Sequence, residues 1–250
     1  MNRAAHTGGM SPWASSGRFE TLGASHLAVW VLFVVGVVLM VLVGHRVRDT
    51  ERAVPVSRSF ALTIPALLVP LQMLDLLPGN YDVRTTLPVQ LCDLAWVAAA
   101  LALWTGHWVP VALVYYWGLL LTPQALLTPT LDADFPDPTF LAFWGMHLMI
   151  VWAAVYLTWG LGLRPTWRGY GSTAAITLAW LVSVFTFNAL VGTNYGYVNA
   201  KPATATILDY LGPWPWYVAV EIALVATVWA LMTLPWQTRD PAPAKRPAVP

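Results

Sequence analysis

The chain has 250 residues, of which 58% are apolar and 10% charged, with a formal net charge of +1. A soluble globular domain carries about 25% charged residues, so this composition excludes one and points to a single-domain integral membrane protein. The balanced charge and the lack of a basic stripe exclude a nucleic-acid partner. The single cysteine, Cys92, excludes an internal disulfide, and the scattered His6, His26, His45, His107 and His147 show no zinc-ligand spacing, so no metal or other cofactor is expected.

In chain order, residues 1–25 form a polar segment rich in Gly, Ser and Ala. The apolar run that follows, 26–43, is too long for a signal-peptide core and lacks a small-residue cleavage pattern after it, so it reads as a retained first span. A hydrocarbon core about 30 Å thick needs roughly 20 helical residues. Seven stretches qualify: 26–43, 60–77, 87–104, 108–127, 140–161, 174–191 and 214–235. The expected fold is therefore all-α, a seven-transmembrane-helix bundle over 26–235. Pro65 and Pro70 should bend the second span. Pro88 should start the third at the interface. "LGPWPWY" reads as an aromatic belt leading into the seventh. The tail 236–250, "QTRDPAPAKRPAVP" after Trp236, has the composition of a disordered segment.

Seven spans put the termini on opposite sides. Arg46, Arg48, Arg52, Arg58, Arg164, Arg168, Arg239, Lys245 and Arg246 then share one side, and Arg3, Arg18, Arg84 and Lys201 the other. The positive-inside bias makes the first side, with the C-terminus, cytoplasmic and puts the N-terminus outside in a multi-pass cell-membrane protein.

This orientation sorts the intramembrane polar groups by depth. Asp75, Gln124 and Asn188 fall near outer ends of their spans, Cys92 about 7–8 Å below one, and His147 and Glu221 about 10 Å below. Six spans thus place polar groups in one leaflet, which predicts a polar cavity in the outer half of the bundle. The loop "TPTLDADFPDPTF" has three aspartates but neither the glycine nor the terminal glutamate of an EF-hand, so it reads as a solvated acidic loop rather than a calcium site. The loop "GTNYGYVNAKPATATILDYLGPWPWY" is 26 residues long and carries Asn194, Tyr195, Lys201 and Asp209, the pattern of a lid or headgroup site.

A thiol acts as a nucleophile when a base converts it to thiolate. His147 is the one histidine at matching depth, so a Cys92–His147 pair across spans three and five can form an acyl-thioester, with His147 as general base and then acid. Gln90, Gln124 or Asn188 supply oxyanion donors, and Asp93 or Glu221 an imidazole partner. At about 100° per residue Gln90 and Asp93 share a helix face, whereas Cys92 points with Trp96. The plain alternatives are an inert core thiol and interhelical hydrogen bonds.

The ordered set "LPVQLCDLAW", "TPQALLTPTLDADFPDPTFLAFWGMHLMIVW" and the 26-residue loop resembles the YwaF-like family of bacterial membrane proteins. It is similar also to their eukaryotic relative, transmembrane protein 164. The resemblance covers roughly 20–235. It implies cysteine-dependent acyl transfer onto lysophospholipids, with Cys92 as acyl carrier and His147 as its partner, and hence a phospholipid or other membrane lipid as substrate. The family pattern "LPxHLC" has His where this chain has Gln90, which removes a titrating group there. The competing function is non-enzymatic lipid or small-molecule binding or transport through the same cavity. Transport fits less well, since the polar groups occupy one leaflet only. A retinal photoreceptor is excluded because no lysine lies in a span.

Overall fold

The computed structural model describes residues 18–129, 131, 133–202 and 207–237. The tail 238–250 and residues 1–17, both assigned above from composition, lie outside the described residues. Within them the chain is all-helical, with seven helices: α1 Ala24–Val47, α2 Ala53–Asp75, α3 Leu91–Thr105, α4 Trp108–Leu127, α5 Pro138–Gly160, α6 Trp167–Val191 and α7 Trp216–Gln237. Short 3₁₀ segments, Tyr195–Tyr197 and Ile207–Leu211, punctuate the long loop between α6 and α7. One isolated bridge pairs Arg18 with Ala133.

Six of these helices are long and apolar enough to cross a membrane, which makes the chain a multi-pass membrane protein. The exception is α3. Its 15 residues rise about 22 Å at about 1.5 Å per residue, short of a hydrocarbon core of about 30 Å. Seven helices are present as expected but six reach spanning length, and the start of the third differs: residues 87–90 are not helical, and Pro88 does not start the helix. Elsewhere the boundaries differ mainly where α2 and α6 begin seven residues earlier than hydropathy suggests, taking in Arg58 and Arg168. Each of these arginines lies over an indole at the same end of the bundle, Arg58 over Trp104 at 5.0 Å and Arg168 over Trp108 at 4.1 Å. A long side chain can keep its cation at that level while its helix continues inward. This end is called the arginine end below, and the opposite one the loop end.

The core is built by α3, α4 and α5, where Ala99, Ala102, Val114, Tyr116, Ile150 and Ala153 are fully enclosed. The alanine face of α3 lets its neighbours approach closely, as small residues do in membrane bundles. By contrast α1, α6 and α7 leave Val31, Val38, Val182 and Leu231 exposed, the apolar outer surface expected in lipid. Toward the arginine end the bundle is joined by hydroxyl groups rather than charges. Tyr116 Oη meets Thr233 Oγ1 at 2.7 Å, Ser57 Oγ meets Tyr156 Oη at 3.0 Å, and Tyr115 Oη donates to Met232 O at 3.0 Å.

Two helices are locally widened to π geometry, α4 at Trp117–Leu121 and α5 at Tyr156–Gly160. The second widening carries Gly160 against α1. A Cβ on Gly44 would stand 2.3 Å from the Cα of Gly160, and one on Gly36 would stand 2.1 Å from the Trp152 ring. The Trp152 indole also donates to Phe33 O at 3.2 Å. Toward the loop end α1, α2 and α5 border an apolar groove of about 650 Å³ lined by Val29, Leu32, Leu67, Trp144 and Leu148.

The glycine crossing gives a direct stability prediction. Gly44→Leu must separate α1 from α5 and is expected to lower the unfolding midpoint in detergent strongly, by roughly the 1–3 kcal/mol or more of overpacking. Gly171→Ala has no neighbour within 4 Å and lies inside α6. It should leave stability unchanged or raise it by up to about 1 kcal/mol. Equal midpoints for both variants would disprove the crossing.

Candidate functional site at the start of helix α3

The thiol-bearing stretch begins as non-helical backbone, residues 87–90, turned at Pro88 where Val89 N–H donates to Leu87 O at 2.8 Å, and a helix follows whose N-cap is Gln90 at φ −62°, ψ 152°. Each polar group here has a fixed destination. The Asp93 carboxylate accepts the Gln90 backbone N–H at 3.0 Å, as a third-position acid does in a capping box, and the Gln72 side-chain amide at 3.1 Å. Gln90 Oε1 accepts the Gly196 N–H at 2.9 Å, and Val89 O accepts the Trp180 indole at 2.9 Å. Tyr195 Oη accepts Leu87 N–H at 3.0 Å and donates to Val83 O at 2.7 Å. The expected shared helix face of Gln90 and Asp93 is therefore replaced by a cap. Gln90 lies outside the helix and points its carbonyl at the α6–α7 loop.

That loop is itself held by one amide. Asn188, buried near the end of α6, donates from Nδ2 to Tyr195 O and Asn199 Oδ1, both at 2.9 Å. Its Oδ1 accepts Thr193 Oγ1 at 2.7 Å and Tyr195 N–H at 2.9 Å. All four hydrogen-bond positions of the side chain are used. Asn194 closes the next turn, donating to Ala200 O and accepting from Asn199 and Ala200 N–H. Gly196 has φ +66°, and a Cβ there would meet the Trp180 ring at 2.7 Å, so this position requires glycine. Burial raises the Tyr195 phenol above its usual range, which keeps it protonated and able to donate to Val83 O.

Cys92 is the second residue of α3 and is partly buried. It forms no hydrogen bond with any described residue. His147, on the neighbouring α5, is 2% exposed. Its Nδ1 lies 2.6 Å from Phe143 O one turn earlier. A carbonyl oxygen only accepts, so Nδ1 carries the proton of the neutral ring and Nε2 keeps a lone pair with no hydrogen-bond partner among the described residues. The two helices pack against each other, but the thiol and the imidazole are not hydrogen-bonded.

The remaining expected site residues are dispersed. Gln124 is exposed on α4. Lys201 pairs with Asp209 at 3.7 Å and lies 5.6 Å from the Tyr217 ring centroid. Tyr217 donates to Tyr197 O, and one turn on Glu221 is half-buried without a hydrogen-bond partner among the described residues. Asp75 is exposed at the end of α2. In the acidic loop Asp137 caps α5 by accepting Thr139 N–H at 2.8 Å, and Asp134 accepts Phe135 N–H at 2.7 Å, while Asp132 lies outside the described residues. No group of three or more potential metal ligands occurs among the described residues.

Among the buried polar residues that the sequence reading did not single out, one is a histidine. His26, at the first turn of α1, is 1% exposed. Its Nδ1 accepts Leu22 N–H at 3.0 Å, and its Nε2 lies 3.2 Å from Leu126 O and 3.0 Å from the Trp30 indole. It ties α1 to the end of α4 and packs on Trp144 of α5 at 5.2 Å between ring centroids. The available signal was a histidine opening an apolar run with an indole four residues on.

Because Tyr195 alone satisfies Leu87 N–H and Val83 O, Tyr195→Phe leaves both without this partner. Unmet buried groups cost about 1–3 kcal/mol, so the variant should lose stability on that scale and show faster amide exchange over 83–90. Tyr197→Phe, at an exposed side chain, should stay within about 0.5 kcal/mol of the parent. Identical exchange in the two variants would refute the anchoring role.

The chain matches no solved structure and no curated protein. A family model does match, over residues 21–233, which takes in all seven helices almost completely and both the α3 segment and the α6–α7 loop. This chain belongs to the TMEM164 family.

Proposed function

We propose that the protein is a membrane enzyme that moves acyl chains between lipids through a thioester on Cys92, with His147 as the proton carrier. The observation that carries this reading is the tautomer of His147. Its Nδ1–H is committed to Phe143 O, which leaves Nε2 as a base on a helix packed against the one bearing the thiol.

In the forward half-reaction Nε2 takes the thiol proton and Sγ attacks the ester carbonyl of a phospholipid. The tetrahedral intermediate expels a lysolipid alkoxide, which takes the proton from His147. In the second half an acceptor lysolipid hydroxyl gives its proton to Nε2 and attacks the thioester, releasing the acylated lipid and restoring the thiol. Sγ and Nε2 must come within about 3–3.5 Å for the proton transfer, a contact that free enzymes often complete only with substrate.

The same reading takes α3 as a seventh span. Backbone groups of residues 87–90 are held by Tyr195 and Trp180, and non-helical backbone is tolerated at membrane depth where protein groups satisfy it. The arginine end is then cytoplasmic, and the start of α3 lies in the outer leaflet. The YwaF-like character of the "LPVQLCDLAW" motif belongs to this proposal. A second reading, non-covalent lipid binding, is favoured by the apolar groove between α1, α2 and α5.

Purified protein in nanodiscs should transfer a labelled acyl chain from phosphatidylcholine to a lysophospholipid. Cys92→Ser and His147→Asn are each expected to reduce this transfer by at least about 10²-fold, the scale of losing a nucleophile or general base. Equal transfer by wild type and Cys92→Ser would sink the enzymatic reading, and lipid bound without transfer would favour the second. A reporter fused after residue 250 should be cytoplasmic; an external reporter would invert the orientation.

A further inference from the structure

The apolar groove beside α5 starts at the loop end, with Ser25 on α1 and Phe135 in the loop before α5, and reaches Trp152. Trp152 closes it. Its indole donates to Phe33 O at 3.2 Å, and its ring fills the place of a side chain on Gly36. From Ala24 to Gly36, α1 rises about 18 Å at about 1.5 Å per residue. One leaflet's share of a hydrocarbon core of about 30 Å is about 15 Å, so the groove is one leaflet deep.

The groove opens sideways, because Leu32, Leu67 and Leu141 line it and are exposed. In a bilayer these residues meet hydrocarbon. Leaving about 650 Å³ empty between apolar walls forfeits dispersion contact on each of them, and water gains no hydrogen bonds there. An acyl chain fills it without desolvating a polar group. Among the described lining residues the one hydroxyl, Ser25, stands at the loop end, so the lining is amphipathic in the same sense as a lipid.

The mouth adds charge. Asp134 and Asp137 flank Phe135, whose ring is exposed. Glu20 is exposed on the segment whose Phe19 packs on Phe140 and Trp144. Arg18 joins the same rim through its bridge to Ala133. Three carboxylates and one guanidinium repel an anionic headgroup, whereas a headgroup with both a phosphate and an amine brings a cation to the carboxylates.

We propose that the groove seats one acyl chain of a zwitterionic bilayer phospholipid, with the chain end at Trp152 and the amine-bearing headgroup at Asp134 and Asp137. The inference rests on the lipid-binding reading above and gives it a lipid class and a pose. The seat is separate from the imidazole. At about 100° per residue His147 lies about 100° from Leu148 and about 140° from Trp152 around α5.

The test irradiates the protein in nanodiscs containing phosphatidylcholine with a diazirine at the end of one chain, and maps the adducts by peptide mass. They should concentrate on residues 32–36 and 149–152, above those on the exposed face of α6 at Val182. A mid-chain diazirine should move them toward Ala28 and Trp144. Phosphatidylglycerol with the same chains should label these sites less by about threefold or more, the scale of one or two exposed charge pairs. Asp134→Asn with Asp137→Asn retains the side-chain acceptors for Phe135 and Thr139 N–H and should abolish that preference. Ala28→Trp, at an exposed lining residue, should lose the α1 and α5 adducts and keep those on α6. Native mass spectrometry of the same protein reads retained lipid and dimer. Lipid retained with adducts spread evenly over the outer helices, or a second copy packed on the groove, overturns the seat. Equal labelling by the two headgroups overturns the lipid class. Absence of any retained lipid overturns the lipid-binding reading itself.

Discussion

The start of α3 is fixed from about a hundred residues away. Tyr195, Gly196 and Trp180 take up Leu87 N–H, Val83 O, Gln90 Oε1 and Val89 O, polar groups that a non-helical segment would otherwise leave unmet. Without these bonds residues 83–90 would either fold into α3 or move to water, and Cys92 would no longer occupy a first helical turn. Asn188 sets the other side of the same joint by holding both the N–H and the carbonyl of Tyr195. The α6–α7 loop therefore acts first as a structural clamp on the thiol-bearing helix, and its polar residues are consumed in that task. Helices that pack tightly elsewhere contribute little here: α7 is anchored by Trp229 and Thr233 toward its arginine end, and at the loop end by Tyr217 and Trp214.

Helix α5 divides the loop end into two chemical environments. One side, with Trp144, Gly145, Leu148 and Trp152, forms the wall of the apolar groove with α1 and α2. Another presents His147, enclosed by the core and fixed in one tautomer by its own helix. Within the groove wall α5 and α2 approach closely, since a Cβ on Gly145 would stand 2.8 Å from Leu67. Shape on one side and a directed lone pair on the other thus come from the same three turns of helix.

Much of the architecture was legible because it is set by hydropathy. Long apolar runs with few charges specify helices one by one, and six of the seven stretches became helices of spanning length. The third did not, because its start is decided by tertiary hydrogen bonds to Tyr195 and Trp180 that no local pattern encodes. Residue types at the site were also legible: Cys92, His147, Asn188, Asp93 and Gln90 all carry polar atoms in apolar surroundings. What those atoms do was not. Gln90 and Asp93 looked like cavity groups and are a helix cap, and Asn188 looked like an oxyanion donor and is a loop anchor. Burial of His26 was missed because a residue at the edge of an apolar run reads as interfacial.

The account depends on Cys92 becoming a thioester. The most direct measurement is the mass of the peptide containing Cys92, isolated from protein incubated in nanodiscs with a phospholipid of known acyl composition, before and after neutral hydroxylamine. An acyl mass on that peptide, removed by hydroxylamine and lost with His147→Asn, is the result the account predicts. An unmodified Cys92 under conditions in which lipid is nonetheless remodelled would contradict it.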